Sequence, residues 1–248
     1  TRHTGTGRFS WLRMRPLTLS ETGHSSNEVS LEAILQGEMP RGMSSDLQLR
    51  ELVERLIIGG WPASQDLSLT QATKYAKNYL NQTARVDIGA VDGVKHDPIK
   101  VMALLRSLAR NAASETAIKT FAADAGGDAG PLHFETVTTY LNSLERIFVL
   151  EVQEAWAPAL RTRATLRGTP KRHLVDSSLT AAALNIGSAD RLLKDPESLG
   201  LIFESFAVQQ IRTLASFQDA EVRHFRAKSG LEVDVIVQSS DGRWAAFE

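Results

Sequence analysis

No cysteine occurs among the 248 residues, so disulfides, thiolate nucleophiles and cysteine-ligated zinc are excluded. Long apolar runs are missing too. "FVLEV" and "VDVIV" fall far short of the roughly 20 residues a membrane helix needs, and the opening "TRHTGTGRFS" lacks the apolar stretch of a secretory signal. The expectation is a cytoplasmic protein with no membrane partner. Charge of one sign is not in excess either: 28 Lys+Arg against 29 Asp+Glu leave a net −1, so any nucleic-acid contact must come from local basic patches. No G-x-x-x-x-G-K-[ST] loop is present, since "TGTG" at 4–7 has no lysine after it. ATP binding is therefore not expected of these residues themselves. His133, His173 and His224 show no metal-ligand spacing and read as surface or capping residues, and no Ser-His-Asp arrangement stands out.

What is present is ordinary globular material, 42% hydrophobic and 23% charged, enough for a substantial core and two or more small modules. The fold class expected is α+β, mainly helical. Residues 1–45 hold "GRFSWLRMRPLTLSE", a short extended run too small to fold alone, with Arg8, Arg13 and Arg15 as a basic patch. From Asp46, apolar residues recur at helical spacing until "GGWP" at Gly59–Pro62 stops the helix, and a second helix is predicted from about Leu67 to Ala84. These make a helical lid segment over 46–97. "RVDIGAVDGVKHDP" reads as a linker, with Pro98 placed to open the next helix.

Residues 98–175 suit a winged-helix-like module. "SETAIKTFAADAG" and "HFETVTTYLNSLER" would form a helix-turn-helix joined by Gly126, Gly127 and Gly130. In the second helix Val137, Tyr140, Leu141 and Leu144 form the docking face, while Thr138, Thr139, Asn142 and Ser143 face outward, either toward a phosphate backbone or simply into solvent. The wing would be "ALRTRATLRGTPKRH", whose Arg161, Arg163, Arg167, Lys171 and Arg172, with His173, form the densest basic patch of the chain. Such a loop neutralises phosphates and makes double-stranded DNA the expected partner; basic surface loops also occur without that role.

The remaining residues, 176–248, carry three acids of interest. Projected at 100° per residue, Glu204 falls inside the apolar arc of Gly200, Leu201, Phe203, Ala207, Val208 and Ile211, while Ser205, Gln209, Arg212 and Ser216 point away. A buried unpaired carboxylate costs several kcal/mol, so Glu204 needs a metal, a base or backbone donors. Downstream the period becomes two: Leu231, Val233, Val235 and Val237 line one strand face and Glu232, Asp234 and Ile236 the other. After an "SSDG" turn, "RWAAFE" forms another strand ending in Glu248. Glu204, Asp234 and Glu248 are the candidate catalytic residues, and Asp234 and Glu248 the candidate ligands of a magnesium ion. Carboxylates brought by separate elements to one hard cation can polarise a phosphate and activate water. The alternative is a scaffold in which the acids serve ion pairs to Arg226, Lys228 or His224.

"GLEVDVIVQSSDGRWAAFE" resembles the core of the restriction-endonuclease-like superfamily, which has an Asp on one strand, Glu-x-Lys on the next and a Glu from the preceding helix. Glu204, Asp234 and Glu248 match three of these positions; the lysine would fall two residues past Glu248, so the module reads as truncated. Taken with "GGWP", "YLNQTARVDI", "YLNSLERIFVLEVQEAWAP", "TPKRHLVDSSLTAAAL" and "GLIFESFAVQQI", the chain resembles the C-terminal portion of bacterial AAA-type ATP-binding proteins that carry the C-terminal domain of unknown function 4143. The resemblance implies that residues 1–45 are the remnant of an ATPase domain and a linker, with ATP bound only through the missing N-terminal domain, and that the rest is DNA-associated with a metal-dependent nuclease-like site. The other implied role is a non-catalytic module for a protein partner or for homo-oligomerisation.

Overall fold

Gly59 leaves helix α2 (Leu49–Ile58) with φ +75°, a conformation that glycine alone adopts without strain, and so carries out the stop that "GGWP" predicts. The computed structural model to which this turn belongs describes residues 8, 12–42, 46–93, 96–157, 168–227 and 229–248. Over these described residues it is α+β and about half helical, with two small sheets. A short α1 (Leu31–Leu35) precedes α2. Ser68 then caps α3 (Leu69–Gln82), its side chain and that of Gln71 each bonding the other's backbone N–H. The segment read as a linker does not become one: a π-helical turn over Thr83–Asp87 carries the chain straight into α4 (Ile88–Asp92). Ala84 and Ile88 are buried there, and burial rather than propensity keeps that stretch helical.

Asp97 caps α5 (Pro98–Arg110), with Pro98 at the first turn as expected. Helices α6 (Ile118–Gly126) and α7 (Phe134–Arg146) follow, separated by Gly127 and Gly130 at φ +58° and +87°. Val137, Tyr140, Leu141 and Leu144 of α7 are buried, but so is Ser143, which the sequence placed outward. Two strands, β1 (Leu150–Gln153) and β2 (Lys171–Leu174), pair antiparallel with Gln153 opposite Lys171. One core joins α3, α4, α5, α6, α7, β1 and β2, so helices on both sides of residue 97 share it.

Asp176 caps α8 (Ser177–Ala183), which is buried along its whole length. Helix α9 (Ala189–Leu193) leads to the 21-residue α10 (Pro196–Ser216), and then to an antiparallel sheet of β3 (Ala220–Arg226), β4 (Glu232–Ser239) and β5 (Trp244–Phe247). The "SSDG" turn joins β4 to β5 with Gly242 at φ +90°. Helix α10 packs on this sheet through Val208 and Ala215 against Val235, Val237 and Ala245, and on α2 and α9 through Ile202 and Phe206.

The wheel drawn from sequence misplaces the faces of α10. Ser205, Gln209 and Arg212 are buried, whereas Phe203 is 45% exposed. The inward side chains Ser205 and Arg212 meet the β1/β2 hairpin, whose own polar groups satisfy them, so the buried face of α10 is not an apolar stripe.

Candidate functional site

Lys171 opens β2 and is only 2% exposed. Its ammonium lies 2.7 Å from Glu204 Oε1 of α10, 2.9 Å from Asp234 Oδ1 and 3.0 Å from Glu232 Oε1, both of β4. Three carboxylates from two elements thus share a cation supplied by a third. An ammonium has three N–H donors, so this arrangement uses all of them. The acids keep partial access to solvent, with side-chain exposures of 20% for Glu204 and 33% for Asp234. Burial opposes the charge on Lys171, but the bonds to Glu204 and Asp234 outweigh it and hold the ammonium above its ordinary pKa. Burial pushes Glu204 up to about 7, against the pull of Lys171 and with the help of Asp234.

The site is framed by neutral and ionic neighbours. His173 Nδ1 is 2.8 Å from Ser205 Oγ and its Nε2 2.8 Å from Gln153 Oε1, which ties β2, α10 and β1 together. Burial, and then the charge of Arg212, keeps this imidazole well below its ordinary pKa and therefore neutral. Gln153 Nε2 donates to the carbonyls of Arg223 and Asp234 at 3.1 and 2.9 Å, binding the hairpin to the last sheet. Arg226 reaches Glu232 at 3.4 Å and Glu115 at 3.2 Å. His224 is fully buried with Nδ1 3.7 Å from Glu115 Oε1. Neither His173 nor His224 is the surface or capping residue expected from sequence.

On the far side of β1, Glu151 is 4% exposed and accepts from Arg212 Nη1 at 2.7 Å, from Arg15 and from Arg13 Nη2 at 2.8 Å. Burial disfavours the charged form of Glu151, and the three guanidinium groups more than offset this, holding the carboxylate below its usual range. Arg13 also stacks on Phe148, 4.7 Å from the ring centre. Arg13 and Arg15 of the early patch therefore clamp the N-terminal segment onto the hairpin, lining a cavity of about 340 Å³.

Of the residues singled out from sequence, Glu204 and Asp234 meet at Lys171. Glu248 follows β5 and is exposed; the pairing of Val235 with Phe247, continued by one residue, places it opposite Asp234. Arg161, Arg163 and Arg167 lie outside the described residues. Lys171 and Arg172 do not stand on an exposed loop: both are buried in β2, with Arg172 Nη1 donating to the Thr116 carbonyl at 3.2 Å and its guanidinium 5.5 Å from the Phe121 ring centre. Pairing with β1 turns both inward, Lys171 onto its acids and Arg172 onto the Thr116 carbonyl and the Phe121 ring, which corrects the picture of these two residues as part of an exposed basic wing. Glu232, Lys171 and Glu151 carry much of the electrostatics without having been picked out for that role. For Glu232 the signal was available, because it shares a strand face with Asp234.

As a divalent-cation site the donor set is all oxygen, the kind magnesium takes. Among the described residues no group of three or more carboxylates and histidines is placed to hold a metal. Lys171 Nζ sits at the point on which Glu204 and Asp234 converge.

Two family models match the chain. Residues 49–190 match a domain of unknown function, DUF8612, and residues 199–248 match another, DUF4143. No curated protein and no solved structure matches. The first match runs from α2 into α9 and covers more than half of the chain; the second takes in most of α10 and the final sheet.

Proposed function

We propose that this chain, which belongs to the DUF8612 family, is the DNA-associated C-terminal region of a bacterial AAA-type ATPase, and that its last module cleaves phosphodiesters with the help of a divalent cation. The observation that carries the reading is the convergence of Glu204 and Asp234, thirty residues apart and on different elements, upon a single positive centre. Helix α10 followed by β3, β4 and β5 supports a restriction-endonuclease-like module, and α5, α6 and α7 followed by the β1/β2 hairpin support a winged-helix-like one. The DUF4143 match over 199–248 supports the resemblance to AAA-type ATP-binding proteins with that C-terminal domain.

Asp234 and Glu248 would hold the cation, which would polarise a phosphate and make a bound water acidic. Glu204 confronts Asp234 across the Lys171 ammonium and so fixes where its carboxylate can point. Lys171 limits the negative charge that an approaching phosphate would meet. His173 and Gln153 hold α10 and β4 at a fixed separation, which keeps the two acids in register.

The test is incubation of supercoiled plasmid with the chain in manganese or in EDTA. Metal-dependent nicking that Asp234→Asn abolishes supports the proposal, and an intact plasmid together with an absence of metal binding overturns it.

A second reading draws on the same ammonium. Lys171 bonded to three acids is also an ionic joint between the hairpin and the last module, as a non-catalytic module for a protein partner or for oligomerisation would have. In that case metal leaves the chain unchanged, while Lys171→Met loosens the joint and weakens self-association or partner binding.

A further inference from the structure

We propose that Lys171 is the resident counter-cation of the carboxylate site, and that a divalent cation and the Lys171 ammonium compete for Asp234, the carboxylate both would use, so that the site is closed until metal displaces the lysine. This rests on the divalent-cation reading above and adds a control that the acids alone do not provide.

Three observations carry it. The ammonium is fully engaged, with contacts of 2.7, 2.9 and 3.0 Å to three separate carboxylates, so it occupies the site rather than passing near it. Among the described residues positive charge is the scarcer: three carboxyl groups face one ammonium, and Arg226, 49% exposed, reaches only Glu232 among them, at 3.4 Å. The cluster therefore has room for more positive charge. Finally, a metal bound to the same oxygens would lie about 4 Å from Nζ, where repulsion in a half-buried setting is worth well over tenfold in an equilibrium constant. The two cations cannot hold the same oxygens together at full strength.

The fold provides for the exchange. Lys171 is the first residue of β2, paired with Gln153 as the last rung of the β1/β2 ladder, so its side chain can turn away without unpairing the rest of the strand. Its four-carbon stem carries a point charge that is easily redirected, unlike a guanidinium held in a fork. Beside the cluster Arg226 bridges Glu232 and Glu115, and His224 has Glu115, Lys171 and Glu232 as its charged neighbours. Glu232 can keep the released ammonium nearby, because it lies at the Arg226 edge of the cluster.

The experiment titrates manganese into the whole chain and reads free Mn²⁺ by electron paramagnetic resonance, which needs no catalytic turnover. The comparison is wild type with Lys171→Met, which removes the charge and keeps an unbranched stem, and with Lys171→Gln, which keeps a donor and serves should the methionine variant not fold. Competition predicts that either neutral variant binds manganese at least about tenfold more tightly than wild type, and that Lys171→Arg binds no more tightly than wild type. A wild type that binds manganese with neutral variants of equal or weaker affinity overturns the competition while leaving the metal site standing. If wild type and variants alike bind none, the divalent-cation reading falls as well.

Discussion

Lys171 and Glu204 come from β2 and from the N-terminal half of α10, and their side chains meet at 2.7 Å in a setting where the lysine is buried and the glutamate is four-fifths covered. The contact joins the hairpin to the last module, and it accounts for the carboxylate that the sequence places on a helix face requiring a partner.

A pH dependence follows from this contact. Glu204 titrates at about 7 when folded, against an ordinary value of 4.5. The folded state therefore holds a proton that the unfolded chain gives up earlier. Its contribution to stability is complete below pH 4.5 and is lost as pH rises through 7, by an amount on the order of 2 kcal/mol. Urea unfolding of wild type and Glu204→Gln at pH 5 and pH 8 checks this. The wild type should lose more stability than the variant over that interval.

Glu151 offers a contrast of burial. Replacing it with alanine leaves Arg15 and Arg212 clustered with no carboxylate between them, and unfolding free energy should fall by about 3 to 5 kcal/mol. Arg13 is one-third exposed, and Arg13→Ala should cost no more than about 1 kcal/mol. Denaturant midpoints of the two variants measure the difference. Equal losses would show that the clamp does not depend on the buried carboxylate.

The turn after α2 gives a third expectation. A Cβ at Gly59 would lie 2.0 Å from Asp176 Oδ1, and Asp176 also accepts from the Gly60 amide at 2.8 Å and caps α8. Gly59→Ala combines a steric clash with a positive φ and should cost about 2 to 4 kcal/mol. Gly93→Ala, at φ +70° but with open space around it, should cost about 1 kcal/mol. Thermal unfolding of the two variants compares steric crowding with backbone strain alone.

Much of the fold was legible where the signal is local. The "GGWP" stop, Pro98 at a helix start, the glycines between α6 and α7, and the period-two run of β4 with its "SSDG" turn all follow from backbone preferences of a few residues. Long-range partnership was not legible. "KRH" at 171–173 reads as a basic loop because nothing nearby in sequence announces that Glu204, Gln153 and Ser205 will receive its side chains. Ser205 and Arg212 read as outward for the same reason, since their partners lie 32 and 61 residues away. Residues 85–98 looked like a linker by composition, and the part up to Asp92 is helical because Ala84 and Ile88 find a core to fill. At the site, Glu204 and Asp234 could be picked out by acid placement on patterned elements, whereas the cation between them could not.

The most direct test of the central claim is a set of thermal unfolding curves, in manganese and in EDTA, for wild type and Asp234→Asn. If Glu204 and Asp234 belong to a divalent-cation site, manganese raises the wild-type midpoint, because a ligand that binds only the folded state stabilises it. The amide oxygen that Asp234→Asn introduces can still accept from Lys171, and Glu204 and Glu232 remain to neutralise the ammonium, so the variant should stay within about 1 kcal/mol of wild type in EDTA. It should show no manganese shift. A wild type indifferent to manganese, with an Asp234→Asn variant destabilised by about 1 to 3 kcal/mol in both conditions, would contradict the account and leave Lys171 and its acids as an ionic joint.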